Sequence, residues 1–259
     1  MKSWIENIGS PVAGAVRFAG GAFTLFIRTI AAVVTPPFRP KHVFEQMSKI
    51  GVDSLPIVTL TNFFIGVVIA LQSAYQMKKV SAEMYIPALV AISICREIGP
   101  VITGLVVAGR VGASIAAELG SMKVTEQIDA LETLAANPVK YLVAPRFLAL
   151  VFMLPLLTIY ADLIGITGGY AVSVYKLGLS SSLYTKMTFL PLELKDVFTG
   201  LFKTVVFAAL IAVISCYQGL RVEGGAEGVG GATTRAVVQS FIFIIVFDAV
   251  FTVIFYFIT

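Results

Sequence analysis

Charge is scarce in this chain. Asp, Glu, Lys and Arg make up 13% of its 259 residues, against about 25% in an ordinary soluble domain. Histidine occurs once, as His42, and cysteine twice, as Cys95 and Cys216. So sparse a set offers no His/Cys metal cluster, and neither H-E-x-x-H nor G-x-S-x-G is present. Gly112-Ala113-Ser114 would need a general base to make a nucleophile, and no long apolar run contains a histidine. The glycine-rich GGAEGVGG at 224–231 lacks the G-K-[ST] ending that holds phosphate and magnesium in a nucleotide loop. Hydrolysis of ATP by this chain alone, and enzymatic activity generally, are therefore not expected. Both cysteines fall in apolar runs and read as free thiols.

What the chain has is hydrophobicity: 58% of residues, with a mean hydropathy of +0.91. Several runs exceed the ~20 residues that cross a bilayer. Five spans are predicted: Leu55–Met77, about Pro87–Gly120, about Phe147–Val172, Val197–Leu220 and Ala236–Ile258. The second is longer than the hydrocarbon is thick, so it must tilt, kink at Pro100 or protrude. Between the spans lie a cytoplasmic connector at 121–136, an outside loop from Tyr175 to Asp196 and a glycine-rich inside loop from Arg221 to Thr234. Thr233 or Thr234 is placed to cap the last span.

Residues 11–34 put Arg17, Thr24 and Arg28 on one face and Val12, Val16, Phe18, Phe23, Phe26 and Ile27 on the others. That pattern suits a helix lying in the cytoplasmic headgroup plane; the alternative is a sixth span with two costly arginines. TPPFRPK, at Thr35–Lys41, breaks any helix, and a short amphipathic piece follows at Val43–Ile50. The chain thus divides into an interfacial region at 1–50 and a membrane domain at 51–259. With a cytoplasmic N-terminus, Lys123, Lys140, Arg146, Arg221 and Arg235 fall inside, and Lys78, Lys79, Lys176, Lys186 and Lys195 outside. The positive-inside rule supports that orientation.

The organising stretch is Arg96 to Pro138. Gly104, Ala108, Gly112, Ala116 and Gly120 form a small-residue stripe at four-residue spacing, widened by Gly109, Ala113 and Ala117. Such stripes let helices approach closely in lipid, inside one subunit or between two. Glu97 lies near this stripe, and Arg96 and Arg110 on its flank. Intramembrane charges are functional candidates by default, which adds Asp162, Lys203 and Asp248. These three read either as cross-helix pairs or, with Glu97, as the carboxylate relay of a self-sufficient ion-coupled carrier or channel.

The connector argues for a different transporter. Val124, Ile128, Leu131 and Ala135 form one face of a short helix; Glu126, Asp129 and Glu132 line another. An acidic helix is the wrong sign for an anionic leaflet and fits a protein partner. A permease that borrows a separate ATPase needs such a docking element, and an ion-coupled carrier does not.

R-E-x-G-P from Arg96, A-G-R-x-G-A-S-x-A-A-E-x-G-x-M from Ala108, E-Q-I-D-A-L from Glu126, then N-P and P-R, together resemble the MlaE (YrbE) family of permease subunits of ABC-type lipid transporters. G-G-A-E-G-V-G-x-A-T-T-R-A-V-V, Gly224–Val238, resembles it again, and the likeness covers roughly 40–259. Gly231 departs from the basic residue expected before A-T-T-R.

These readings together predict an all-α membrane protein of five transmembrane helices with an N-terminal interfacial helix and a cytoplasmic coupling helix. The resemblance implies a phospholipid substrate, the bacterial inner membrane and a role in outer-membrane lipid asymmetry. The implied partners are a second copy, an ABC ATPase carrying ATP and magnesium, an MCE-domain protein and, in some systems, a STAS-domain protein. No cofactor on this chain and no nucleic-acid partner are expected. The lipid site would lie between subunits near spans one and two, making Glu97, Arg96, Gln72 and Tyr75 the candidate substrate contacts. Glu118, Glu126, Ile128, Asp129, Leu131 and Glu132 would meet the ATPase.

Overall fold

The computed structural model describes residues 2–36 and 40–258. Helices account for nearly all of them, and no strand occurs among the described residues. A long N-terminal helix, α1 (Lys2–Val34), precedes α2 (Pro40–Gly51), which runs through one 3-10 turn into α3 (Leu55–Lys78). Part of the proline-rich break, residues 37–39, lies outside the described residues.

The expected second span is one rod built of α4 (Ile86–Ser93), α5 (Gly99–Val107) and α6 (Ala113–Val124). The joints between these pieces are π-helical turns at Ile94–Ile98 and Ala108–Gly112. The first π turn immediately precedes Gly99-Pro100. Proline offers no N–H and crowds the carbonyl four residues back; widening the preceding turn absorbs both defects. The rod leads to α7 (Gln127–Thr133), α8 (Ala144–Tyr175), α9 (Ser181–Phe189), α10 (Leu194–Leu220) and α11 (Gly225–Ile258).

Two connectors differ from expectation. The outside loop contains α9, started by Ser180 accepting a hydrogen bond from Leu183 N at 3.2 Å. Tyr184 anchors that helix, donating to the Ile166 carbonyl of α8 at 3.1 Å. The glycine-rich inside loop is mostly helix, because α11 starts at Gly225 rather than Ala236. Gly224 and Gly225 take positive φ, +86° and +70°, where a side chain is strained, and the turn is completed there. Thr233 and Thr234 do not cap; they lie inside the helix and donate to the carbonyls of Val229 and Gly230.

Close packing follows the small residues. On α3, Val58, Asn62, Gly66, Ala70 and Ala74 are buried at four-residue spacing and face α8. A Cβ at Gly66 would strike the Gly165 carbonyl, and one at Gly168 the Phe63 carbonyl. Backbone-to-backbone approach is how helices gain dispersion energy in lipid. The Gly104–Gly120 stripe is used within the chain: Gly104 meets Phe207, Gly112 meets Ile211 and Ser215, and Gly120 meets Val222 and Val229. The main core joins α6, α8 and α10 around Leu119, Leu150, Leu154, Phe207 and Ile211.

Six helices are long and apolar enough to cross a membrane, one more than expected; the additional one is Val16–Val34 of α1. Its contacts place it across the bundle. Arg17 and Gly21 lie against Tyr217, near the end of α10, and Val33 lies near Tyr141 and Ala144, at the start of α8. Successive antiparallel helices put the end of α10 and the start of α8 at the same end of the bundle. Thus α1 reaches from the end of α10 to the start of α8, at the end of the bundle that bears α7.

Candidate functional site

Lys203 is fully buried, and its ammonium is matched by two carboxylates, Glu97 at 2.5 Å and Asp248 at 2.9 Å. Thr252 completes the group. Its hydroxyl lies 2.9 Å from Lys203 Nζ and 3.1 Å from Glu97 Oε2. Three elements meet here: the first π turn, α10 and α11. Burying the ammonium alone would be prohibitive, so two anions and a hydroxyl around it are what allow Lys203 its position. Glu97 keeps 32% of its side chain exposed and Asp248 20%, so the cluster has one open edge. Arg96 grips α10 separately, 3.7 Å from Asp196 in its first turn. Adjacent residues diverge around a helix, and here they reach two different places on the same neighbour.

Thr252 and Asp196 were not candidates from sequence. Each had a signal: Thr252 follows Asp248 by four residues and Asp196 precedes Lys203 by seven, so each shares a helix face with a residue that was. Asp162 is elsewhere. It is buried on α8 with its Oδ1 against Gly99 and has no hydrogen bond there. Asp162 is thus not hydrogen-bonded into the Lys203 cluster. Gln72 and Tyr75 lie exposed on α3 and make no hydrogen bond with Arg96 or Glu97; Tyr75 packs under Lys79, 4.3 Å from the ring centre. Apolar side chains on the same exposed side of α3, Leu60, Phe64 and Val68, are likewise bare.

Arg110, on the second π turn, is a staple. It donates to the carbonyls of Lys49 (2.9 Å) and Ile50 (3.0 Å) and to Ser54 Oγ (3.0 Å), with Asp53 at 3.8 Å. These carbonyls end α2, where backbone acceptors are unmet and a cation is favoured. Glu118 plays the complementary part on α6, pairing with Lys49 and with Arg146 of α8. Ser114 Oγ donates to the same carboxylate at 3.3 Å. Glu118 thus ties α2, α6 and α8 together at the α7 end.

The acidic connector forms its helix, shorter than the 121–136 segment. α6 runs on to Val124, Glu126 turns the chain at φ +59°, and α7 has seven residues. Ile128 is buried in the core and Leu131 partly so, while Val124 and Ala135 are exposed, Ala135 beyond the helix end at φ +55°. Only two of the four expected apolar positions anchor α7. Glu126, Asp129 and Glu132 are exposed; Asp129 pairs with Lys123 at 2.7 Å. No group of three or more potential metal ligands occurs among the described residues.

A bundle of long apolar helices, with paired charges inside it and a short acidic helix projecting at one end, defines a polytopic membrane protein of the permease class. The chain belongs to the MlaE permease family, whose model matches residues 43–254. It is 48% identical over 240 residues to a probable ABC transporter permease protein of Rickettsia typhi, covering 92% of this chain and 93% of that one. A probable ABC transporter permease of Synechocystis is 38% identical over 225 residues, covering 87% and 86%. The chloroplast protein Trigalactosyldiacylglycerol 1 of Arabidopsis thaliana is 36% identical over 216 residues, covering 83% of this chain and 62% of that protein. This chain is thus the membrane-embedded permease of an ABC transporter.

Proposed function

We propose that this permease moves a glycerophospholipid between the bacterial inner membrane and a periplasmic carrier, and so helps maintain outer-membrane lipid asymmetry. The observation that carries the reading is the open edge of the Lys203 cluster. Glu97 and Asp248 present charge within the bundle, beside the bare apolar face of α11. That combination suits an amphiphile, whose head can exchange hydrogen bonds with the cluster while its chains lie on the apolar face. The name of the Arabidopsis relative, which is that of a diacylglycerol glycolipid, supports a glycerolipid class.

In this reading the end bearing α7 is cytoplasmic, and α7 with Glu126 and Glu132 receives a separate ABC ATPase loaded with ATP and magnesium. A second copy covers the bare face of α3, enclosing the lipid near Arg96, Glu97, Gln72 and Tyr75. An MCE-domain protein takes or delivers the lipid on the opposite side, and a STAS-domain protein joins the ATPase in some assemblies. The test is to purify the chain with its co-expressed partners and identify retained lipid by mass spectrometry. Glycerophospholipid at defined stoichiometry, depleted by Glu97→Ala, is the expected result. An amphiphile of another class, or lipid content unchanged by that substitution, overturns the reading.

A further inference from the structure

We infer that α1 and α10 form a second lipid site, which holds one anionic glycerophospholipid as a fixed component rather than as cargo. The site has two adjoining parts. The first is a hollow of about 360 Å³ lined by Arg17, Arg28, Arg221, Thr24 and Tyr217. Arg221 is held in place by the Tyr217 hydroxyl, with its guanidinium 5.1 Å from the ring centre. Among the described residues, no carboxylate forms an ion pair with any of these three arginines. The second part is an apolar groove of about 320 Å³ between α1, α10 and α11, walled by Phe23, Phe26, Val206, Leu210 and Phe247.

The two parts share a boundary. Tyr217 lines the hollow, Phe18 lines the groove, and their rings meet edge to face at 5.4 Å. Gly21 permits this arrangement, since a Cβ there would collide with the Tyr217 ring.

The occupant follows from chemistry and place. Three guanidiniums without carboxylate partners match a phosphate, whose oxygens accept their forked N–H groups. An apolar groove directly beside a phosphate site matches acyl chains. Because α1 crosses the end of the bundle, the hollow lies at headgroup level and the groove beneath it, and basic pockets at such positions favour anionic lipids. Three cations select a lipid of net negative charge over a zwitterionic one. The hollow is separate from the Lys203 cluster, which lies toward the α9 end, and its existence does not depend on what the transporter carries.

The test uses the full chain with its ATPase subunit in mixed vesicles. The single tryptophan, Trp4, is replaced by Phe, and Phe23→Trp places a reporter in the groove. Quenching by brominated phosphatidylglycerol is compared with quenching by brominated phosphatidylcholine. The parent should prefer phosphatidylglycerol severalfold. Each of Arg17→Gln and Arg28→Gln should lower that preference, and the two together should abolish it; Arg17→Lys and Arg28→Lys should largely preserve it. Equal quenching by the two lipids, or a preference that survives Arg17→Gln with Arg28→Gln, overturns the proposal. So does loss of the preference on adding inorganic phosphate, which would mark a soluble-anion pocket. Glu97→Gln should leave the preference intact, so a failure of the cargo reading and a failure of this one are distinguishable.

Discussion

Lys203 and Glu97 are joined 2.5 Å apart, one side chain fully buried and the other partly open. The asymmetry matters because Lys203 depends on its anions more than either anion depends on it. Removing one partner of a buried pair strands the other, at a cost of about 3–5 kcal/mol. Lys203→Met strands two carboxylates and should destabilise by about that much. Glu97→Gln leaves Lys203 with Asp248 and should cost about 1–2 kcal/mol, while still impairing lipid retention. Thermal unfolding of the purified complex measures both, and equal losses would show that the cluster is not arranged around the lysine.

The α3–α8 contact depends on the absence of side chains. Gly66→Val or Gly168→Val would push a Cβ into an opposing carbonyl and should cost at least about 1–3 kcal/mol, through overpacking. Gly20→Ala, in open space on α1, should be neutral or stabilising by about 0.5–1 kcal/mol. Melting curves of the three variants in one detergent give the comparison.

Arg110 should be needed for folding of the α2–α3 junction and play no part in lipid selectivity. Arg110→Gln removes hydrogen bonds from a charged donor, each worth about 1.5–3 kcal/mol. Hydrogen exchange at residues 49–54 should accelerate before the rest of the protein loosens. Arg110→Lys should rescue only in part, because an ammonium cannot reproduce the fork that reaches two carbonyls and a hydroxyl.

On α7, Asp129 already pairs with Lys123, whereas Glu126 and Glu132 are exposed. Asp129→Asn should therefore leave ATPase co-purification nearly unchanged. Individual exposed ion pairs are worth about 0.2–1 kcal/mol, so Glu126→Lys with Glu132→Lys together should reduce it severalfold by turning attraction into repulsion. Retention of the ATPase at the parental level in moderate salt would mean that α7 docks it by some other means. The purified chain alone should hydrolyse no ATP.

Much of the fold was legible in the sequence because membrane helices are local objects. A run such as Leu55–Lys78 is long, apolar and closed by Lys78 and Lys79, and nothing distant is needed to predict it. The connectors were harder. Residues 225–235 look like a loop because glycine disfavours isolated helix, yet close packing of α11 on α6, at Gly120 and Val229, makes those small residues helical. The α9 segment is too short and mixed in charge to announce itself, and is fixed by Tyr184 reaching α8.

Composition and periodicity by themselves determined the class: an all-helical membrane protein carrying costly charges at Arg96, Glu97, Arg110, Asp162, Lys203 and Asp248. Only the tertiary structure decided what each charge is for. Glu97, Lys203 and Asp248 form one cluster, Arg96 meets Asp196, Arg110 ends α2, and Asp162 stands apart against Gly99. Helical periodicity specifies the direction in which a side chain leaves its own helix. Its partner depends on how neighbouring helices are rotated and offset, and that is set by close contacts such as Gly66 on Gly165, between residues far apart in the chain.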